Sequence, residues 1–197
     1  MTLDEKIDEI RDAIKTKTKR VYAWDYHRQY LAASCKTVTL DGLWLEFGVY
    51  RGRSITQIAR HTNKIVYGFD SFEGLPEQWN GENPAGMFNI GGEVPAGSIV
   101  GDNQPDGSPT RQVEPWPENI RFVKGWFSDT LPGFLKEHKD IAAYVHIDSD
   151  IYSSCKTVLE LLTDRIVPGT IIDFDEILDY PEYREHEIKA FAEFLLA

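Results

Sequence analysis

The chain is poor in cysteine and in basic residues, and each shortage excludes a class of protein. Its two cysteines, Cys35 and Cys155, lie far apart, so they form neither a disulfide framework nor the close spacing of a zinc site. Asp and Glu number 32 against 21 Lys and Arg, which gives a formal net charge of −11. So acidic a chain argues against sequence-independent binding to nucleic acid and against docking on anionic lipid.

Long apolar runs are also missing. No segment approaches the roughly 20 apolar residues that a membrane-spanning helix needs. The start of the chain, "MTLDEKIDEI", is acidic and amphipathic, unlike a secretory signal. Together with the low cysteine content, these features predict a cytoplasmic protein that contacts neither membrane nor nucleic acid.

Short apolar runs alternate with amphipathic segments along the chain. Residues 3–33 have apolar residues at spacings of three and four and predict a helix. The later helices are expected at 54–62, 128–138 with Ser128 as N-cap, 152–166 and 182–196. The strands are expected at 43–48, 64–71, 120–125, 141–148 and 169–176.

The strand runs are continuously apolar, as in parallel strands that are buried on both faces. The order predicts an α/β fold: a Rossmann-like, doubly wound, mostly parallel sheet with helices on both faces. We expect an N-terminal helical segment at 1–40 and one domain at 41–197. The stretch 72–119, rich in Gly, Pro and Asn, is too long for an ordinary connection and predicts a lid-like insertion or a surface loop without a role.

A glycine-containing turn, "EFGVYRGRS", follows the first strand. Gly48 allows a tight turn at the end of the strand. Gly52 lets the start of the next helix pack close to the strand and leaves room for a ligand at the free N–H groups of that helix. Asp70 ends the second strand, where an acid can accept both hydroxyls of a ribose. A plain strand–helix turn and a turn-forming Asp are the alternatives. The two features together favour a nucleoside-containing cofactor.

Four acids lie at the carboxyl ends of the last two predicted strands. Neighbouring strands lie about 4.8 Å apart, so Asp148 and Asp150 are expected near Asp175 and Glu176. Carboxylates so close must be protonated, paired or bound to a cation, and oxygen ligands alone suit Mg²⁺, Mn²⁺ or Ca²⁺. No basic residue immediately flanks either acidic end. Alternatively, Asp150 is only a helix cap, and Asp175 and Glu176 are only turn-forming acids.

Two further polar residues lie within these strands. His146 shares a strand face with Asp148 because side chains alternate along a strand. We expect it to be a hydrogen-bonded core histidine rather than a ligand. Asp173 lies inside an apolar strand, where a charge is costly without a partner, and the sequence offers no explanation for it.

Five blocks of sequence occur in order: "LWLEFGVYRGRSI", "VYGFDSFEGLPEQW", "GWFSDTLPGFL", "HIDSDIYSS" and "VPGTIIDFDE". They resemble the macrocin O-methyltransferase (TylF-like) family, class I methyltransferases that use S-adenosylmethionine. The resemblance covers roughly residues 40–195. It implies methyl transfer to a hydroxyl, assisted by a divalent cation such as Mg²⁺. The composition of the insertion at 72–119 favours a small polar, sugar-containing acceptor.

The resemblance also assigns residues to roles. The cofactor-binding set that it implies is Glu46, Gly48, Gly52, Ser54, Asp70, Ser71, Gly125, Trp126 and Asp148. Asp148, Asp175 and Glu176 would be metal ligands, although family members often have two aspartates where this chain has Asp–Glu. Asp150 would be the general base. Independently of the resemblance, we expect the insertion, with its Trp79, Phe88 and Trp116, to close over the acceptor and exclude water.

Two other functions fit parts of the sequence. "DSD" at 148–150 also resembles the metal-binding Asp-x-Asp of nucleotide-sugar glycosyltransferases, although that fold does not require the glycine turn. Family members continue into two more strands after the last helix, which this chain lacks. The shorter sheet raises the possibility of a non-catalytic S-adenosylmethionine-binding module, or of a homo-oligomer that covers the open edge.

Overall fold

A computed structural model describes residues 1–15, 24–100 and 112–197. Numbered along the chain, the strands are β1 (Leu43–Phe47), β2 (Val66–Asp70), β3 (Ser98–Val100), β4 (Gln112–Glu114), β5 (Ile120–Lys124), β6 (Ala142–Ile147) and β7 (Ile171–Phe174). Five of them form one sheet in the order β5-β2-β1-β6-β7, and every pairing is parallel. The predicted parallel sheet is therefore confirmed, with β1 at its centre.

The helices are α1 (Leu3–Lys15), α2 (Trp24–Thr37), α3 (Arg53–Arg60), α4 (Phe127–Glu137), α5 (Tyr152–Leu161) and α6 (Glu187–Leu196). The single helix predicted over 3–33 is described as α1 and α2, and residues 16–23 between them lie outside the described part. The predicted closing helix begins later than expected, because Glu182 has a left-handed φ of 68° and residues 183–185 form a 3-10 turn.

The predicted N-cap of α4 is wrong. Trp126 occupies the N-cap position in an extended conformation, and no side chain caps the helix. Ser128 lies inside the helix, where its hydroxyl donates to Asp129. The backbone N–H groups of Asp129 and Thr130 already bond to the Trp126 carbonyl, so the helix starts without the serine.

Apolar side chains fill both faces of the sheet, as a doubly wound fold requires. On one face, Phe47 and Val145 pack with buried residues of α4, α5 and α6. On the other face, Trp44 and Tyr144 pack with residues of α2 and α3. A third cluster joins α1 to α6 through Ile7. The sheet is thus covered by helices on both sides.

The insertion at 72–119 contains more regular structure than we expected. β3 and β4 pair antiparallel, and three-residue strands give too weak a sequence pattern to be recognised. Trp116 is not part of a cover over the acceptor: its indole N–H donates to the Pro95 carbonyl, and its ring packs against the core. None of the described helices is both long enough and apolar enough to cross a bilayer.

Candidate active site

A cavity of about 610 Å³ opens at the carboxyl ends of the sheet strands. The residues lining it include eight that the sequence singled out: Gly48, Asp70, Ser71, Trp126, Asp148, Asp150, Asp175 and Glu176. Phe88 of the insertion lines it as well, whereas Trp79 and Trp116 do not. The glycine turn and the acidic strand ends therefore face one common space.

Four residues of the predicted cofactor set lie outside this lining. Ser54 donates to the Glu46 carboxylate at 2.6 Å, and both side chains are buried beneath the cavity. Gly125 joins β5 to α4, and its N–H bonds to the Asp70 carbonyl. The room expected above Gly52 is occupied, because a Cβ there would lie 2.2 Å from the Trp116 ring.

Gly48 is needed because two strand ends meet at it. Its φ is 95°, and a Cβ at this position would lie 1.7 Å from the backbone oxygen of Asp148. The Asp148 N–H also bonds to the Phe47 carbonyl at 2.9 Å. Only a residue without a side chain lets the end of β6 approach β1 this closely.

Asp70 holds the glycine turn against the end of β2. One carboxylate oxygen accepts the N–H groups of Val49 and Tyr50 at 2.8 and 2.7 Å. The other oxygen accepts the Phe72 N–H at 2.7 Å. A carboxylate has about four acceptor positions, so one remains for a ligand hydroxyl. The turn-forming alternative is thus correct for Asp70, and it leaves room for the ribose role.

Asp150 occupies a strained position at the cavity wall. Its φ is 63°, and the Ile151 N–H bonds to the Ser149 carbonyl at 2.7 Å, which closes a three-residue turn around it. Such backbone costs about 1–3 kcal/mol and is concentrated at functional sites. The helix-cap alternative is wrong, because Ile151 is the N-cap of α5 and no side chain caps it.

The carboxyl groups around Asp150 raise one another's affinity for protons. Burial raises the pKa of Asp150 to about 6; the charges of Asp175 and Asp70 add to this rise, and a hydrogen bond with Glu176 opposes it. Burial, together with the charges of Asp150 and Asp175, raises the pKa of Glu176 to about 9. The pKa of Asp148 is also raised, by burial first and then by its acidic neighbours.

These acids suit a divalent cation. Glu176 has a buried oxygen, Oε2, without a hydrogen-bond partner. An all-oxygen set of mutually repelling carboxylates is the chemistry that Mg²⁺ or Mn²⁺ compensates. Asp148, Asp175 and Glu176, which all line the cavity, could supply the oxygen ligands for such a cation.

Asp175 also has a partner that the sequence did not indicate. His27 of α2 lies with its Nε2 2.7 Å from the Asp175 carboxylate. Although burial opposes it, the hydrogen bond and charge of His27 and the charge of His146 hold the pKa of Asp175 below its usual range. No basic residue flanks these acids in the sequence, as expected, but the fold brings His27 of a distant helix against Asp175.

Three other buried polar residues complete the surroundings. His146 is buried, as predicted. Its Nδ1 has no hydrogen-bond partner, so the prediction of a hydrogen-bonded histidine is not confirmed at that atom. Asp173 accepts the Tyr144 hydroxyl at 2.7 Å, which explains the acid inside β7. Glu187 was missed: it is buried at the start of α6 and accepts the N–H and hydroxyl of Ser149 at 3.3 Å.

Comparison with known proteins identifies the family. The family model of macrocin O-methyltransferase (TylF) matches residues 27–194. A 4'-O-methyltransferase of 8-demethyl-8-(2,3-dimethoxy-alpha-L-rhamnosyl)-tetracenomycin-C from Streptomyces olivaceus is 30% identical in an alignment 157 positions long, and the match covers 72% of this chain and 56% of that protein. Mycinamicin III 3''-O-methyltransferase from Micromonospora griseorubida is 26% identical, over 75% of this chain and 60% of that protein.

Solved structures give the same fold. The calicheamicin methyltransferase CalS11 superimposes with a TM-score of 0.65 at 25% identity, covering 85% of this chain and 70% of that one. The molecule therefore has the Rossmann-like α/β fold of a methyltransferase. The chain belongs to the macrocin O-methyltransferase family. It spans 56–60% of the length of the curated relatives it matches.

Proposed function

We propose that this chain transfers a methyl group from S-adenosylmethionine to a hydroxyl of a sugar-containing small molecule, with a divalent cation such as Mg²⁺ bound at the acids. The observation that carries the proposal is the shared cavity: the turn held by Asp70 and the carboxylates of Asp148, Asp150 and Glu176 face the same space. The relatives named above act on sugar-bearing antibiotics, which supports this class of acceptor.

The bound donor supplies an electrophilic methyl group, so the protein has to align the acceptor oxygen and manage its proton. Asp148, Asp175 and Glu176 would hold a divalent cation, whose positive charge would favour the deprotonated hydroxyl. Asp150, on its strained turn, takes the proton of the acceptor hydroxyl onto its carboxylate. General-base assistance of this kind contributes about a hundredfold to ten-thousandfold.

The remaining lining has positioning roles. The Asp70 acceptor position that the backbone leaves free binds a ribose hydroxyl, beside Ser71 and the turn at Gly48. Leu75 and Phe88 of the insertion face the cavity and exclude water from the reacting atoms. This division places the donor on the β1–β2 side and the acceptor at β6–β7.

The test separates binding from chemistry. S-adenosylhomocysteine is titrated by calorimetry into the wild type, Asp150→Asn and the control Asp164→Asn, which alters an exposed acid. Methyl transfer from labelled S-adenosylmethionine to glycosylated acceptors is then measured with Mg²⁺ and with a chelator. We expect all three proteins to bind, and Asp150→Asn to lose about a hundredfold or more of the rate.

The alternatives give different results. Binding of a nucleotide-sugar diphosphate instead of S-adenosylhomocysteine would favour the glycosyltransferase. Binding of S-adenosylhomocysteine without uptake of Mg²⁺ and without transfer would favour a non-catalytic module. Transfer by Asp150→Asn at the wild-type rate would disprove the role of the base.

We also expect a second copy to cover β7. Among the described strands β7 pairs only with β6, and an open strand edge favours association. Light scattering on the purified chain measures this directly, and a monomer across the concentration range would contradict it.

A further inference from the structure

A row of buried polar side chains crosses the sheet beneath the cavity, on the face that α2 covers. Glu46 of β1 is in register with His146 of β6, which is in register with Asp173 of β7. All three are buried. Glu46 Oε2 and His146 Nδ1 lie 3.8 Å apart, and neither has a hydrogen-bond partner. An unpaired buried polar atom destabilises the fold, so these two atoms favour the approach of a further polar group or ion.

Two residues beyond Asp173, on the same strand face, Asp175 meets α2. The ligand atoms of His27, His146 and Asp175 all lie within 4.8 Å of one another. No other set of three or more His, Cys, Asp or Glu side chains in the described parts of the chain is so closely grouped. The three residues predicted as metal ligands from the sequence share only Asp175 with this set.

The burial of the group suits an ion that enters from solution. His146 is 1% exposed and forms the floor, whereas the side chains of His27 and Asp175 are 25% and 24% exposed. One ligand is therefore fixed in the core, and two lie where an ion can reach them. The Glu46 carboxylate beside His146 resembles the outer carboxylate that commonly orients a metal-binding imidazole.

We propose that His27, His146 and Asp175 form a binding site for a divalent transition-metal ion such as Zn²⁺, which adjoins the oxygen-lined position at Asp148 and Glu176 and shares Asp175 with it. Two imidazoles and one carboxylate suit Zn²⁺ and similar ions better than Mg²⁺. Metal–ligand distances of about 2.0–2.2 Å need ligand atoms about 3.3–3.5 Å apart, so small side-chain shifts bring the group to a metal-binding geometry. The ion ties α2 to β6 and β7, and the proposal does not depend on methyl transfer.

The test uses metal-stripped full-length chain and Zn²⁺ as the probe. Equilibrium dialysis compares the wild type, His27→Ala and the control His138→Ala, in which another half-buried histidine is removed away from the group. We expect one Zn²⁺ per wild-type chain that excess Mg²⁺ does not displace. His27→Ala lowers the affinity about tenfold or more, and His138→Ala leaves it unchanged.

A second readout reports the ligands themselves. Co²⁺ in place of Zn²⁺ gives visible absorption bands whose intensity and position depend on nitrogen ligation, and these change in His27→Ala. Zn²⁺ also raises the unfolding temperature of the wild type and of His138→Ala, but not of His27→Ala. Equal Zn²⁺ affinity in the wild type and His27→Ala, ready displacement by Mg²⁺, or no uptake at all would each overturn the proposal.

Discussion

The acids on the two sides of the cavity differ in their hydrogen-bond partners. On the β1–β2 side, the Asp70 carboxylate accepts three backbone N–H groups. On the β6–β7 side, Asp148, Asp150 and Glu176 crowd one another, and each has a raised pKa. Within the described residues, none of these three carboxylates accepts a backbone N–H. Folding supplies the partners of Asp70 and, through His27, of Asp175, whereas Asp148, Asp150 and Glu176 repel one another until a cation binds there.

The largest expected effect lies where the two sides touch. Gly48→Ala places a Cβ against the Asp148 backbone, so we expect it to lower the free energy of unfolding by about 3 kcal/mol or more, or to prevent folding. Gly86→Ala is the matched control, since Gly86 has a φ of 80° with nothing within 4 Å. It should cost only about 1–2 kcal/mol in urea unfolding, the price of left-handed backbone alone. Equal losses would mean that the close approach is not required.

Asp70→Ala tests the β1–β2 side of the cavity. It leaves three N–H groups without their acceptor, so we expect a loss of about 2–4 kcal/mol in urea unfolding, together with loss of S-adenosylhomocysteine binding in calorimetry. Asp164→Ala, at an exposed position, should change neither quantity. A stable Asp70→Ala protein would show that the turn is held by other contacts.

Asp150→Gly tests the β6–β7 side of the cavity, and we expect it to raise the stability of the fold rather than lower it. Glycine relieves the left-handed strain and removes one of the repelling carboxylates, so we expect the metal-free protein to gain about 1 kcal/mol of stability. Urea unfolding in the presence of a chelator measures it. A loss of stability would mean that the Asp150 carboxylate contributes to the fold, as Asp70 does.

The smallest effect concerns the pH dependence of stability. Burial raises the pKa of Glu187, so the folded state keeps its proton at pH values where the unfolded chain has lost it. Stability therefore falls as pH rises above the ordinary glutamate pKa, and Glu187→Gln should make this fall shallower. Unfolding temperatures between about pH 5 and about pH 8 measure the slope.

Glu193→Gln provides a control of opposite sign. The hydrogen bond from Lys156 lowers the pKa of Glu193, although burial opposes it slightly. A lowered pKa favours the folded state at neutral pH, and that contribution is lost as pH falls. The glutamine variant should therefore lose stability at neutral pH. Equal slopes for Glu187→Gln and the wild type would contradict the neutral state of Glu187.

The strand ends were predictable because burial imposes a local pattern. Continuous apolar runs located the five parallel strands, and the parallel order then brought Asp148 and Asp175 to one edge. Asp150 was recognised as a site residue, but its strained turn was not, because the φ of a single residue leaves no mark on sequence periodicity. The site was therefore predictable where it depends on strand order.

Contacts between distant elements were not predictable in this way. His27 reaches Asp175 only because α2 packs across the far face of the sheet. Glu187 is buried at the start of α6, where it accepts the Ser149 hydroxyl from a distant part of the chain. Trp116 looked like a cover for the acceptor, yet it packs over Gly52. In each case the side chain's partner is set by tertiary packing, which overrides the local sequence.

The seating of Trp116 has a mechanical consequence. Its ring rests on Gly52, and the Ser98 hydroxyl donates to the carbonyl of the same glycine. Two and three residues earlier, Tyr50 and Val49 supply the N–H groups that grip Asp70. The β3–β4 pair and Trp116 therefore hold the turn between Gly48 and Gly52 in place, and displacing them would loosen the backbone that Asp70 binds.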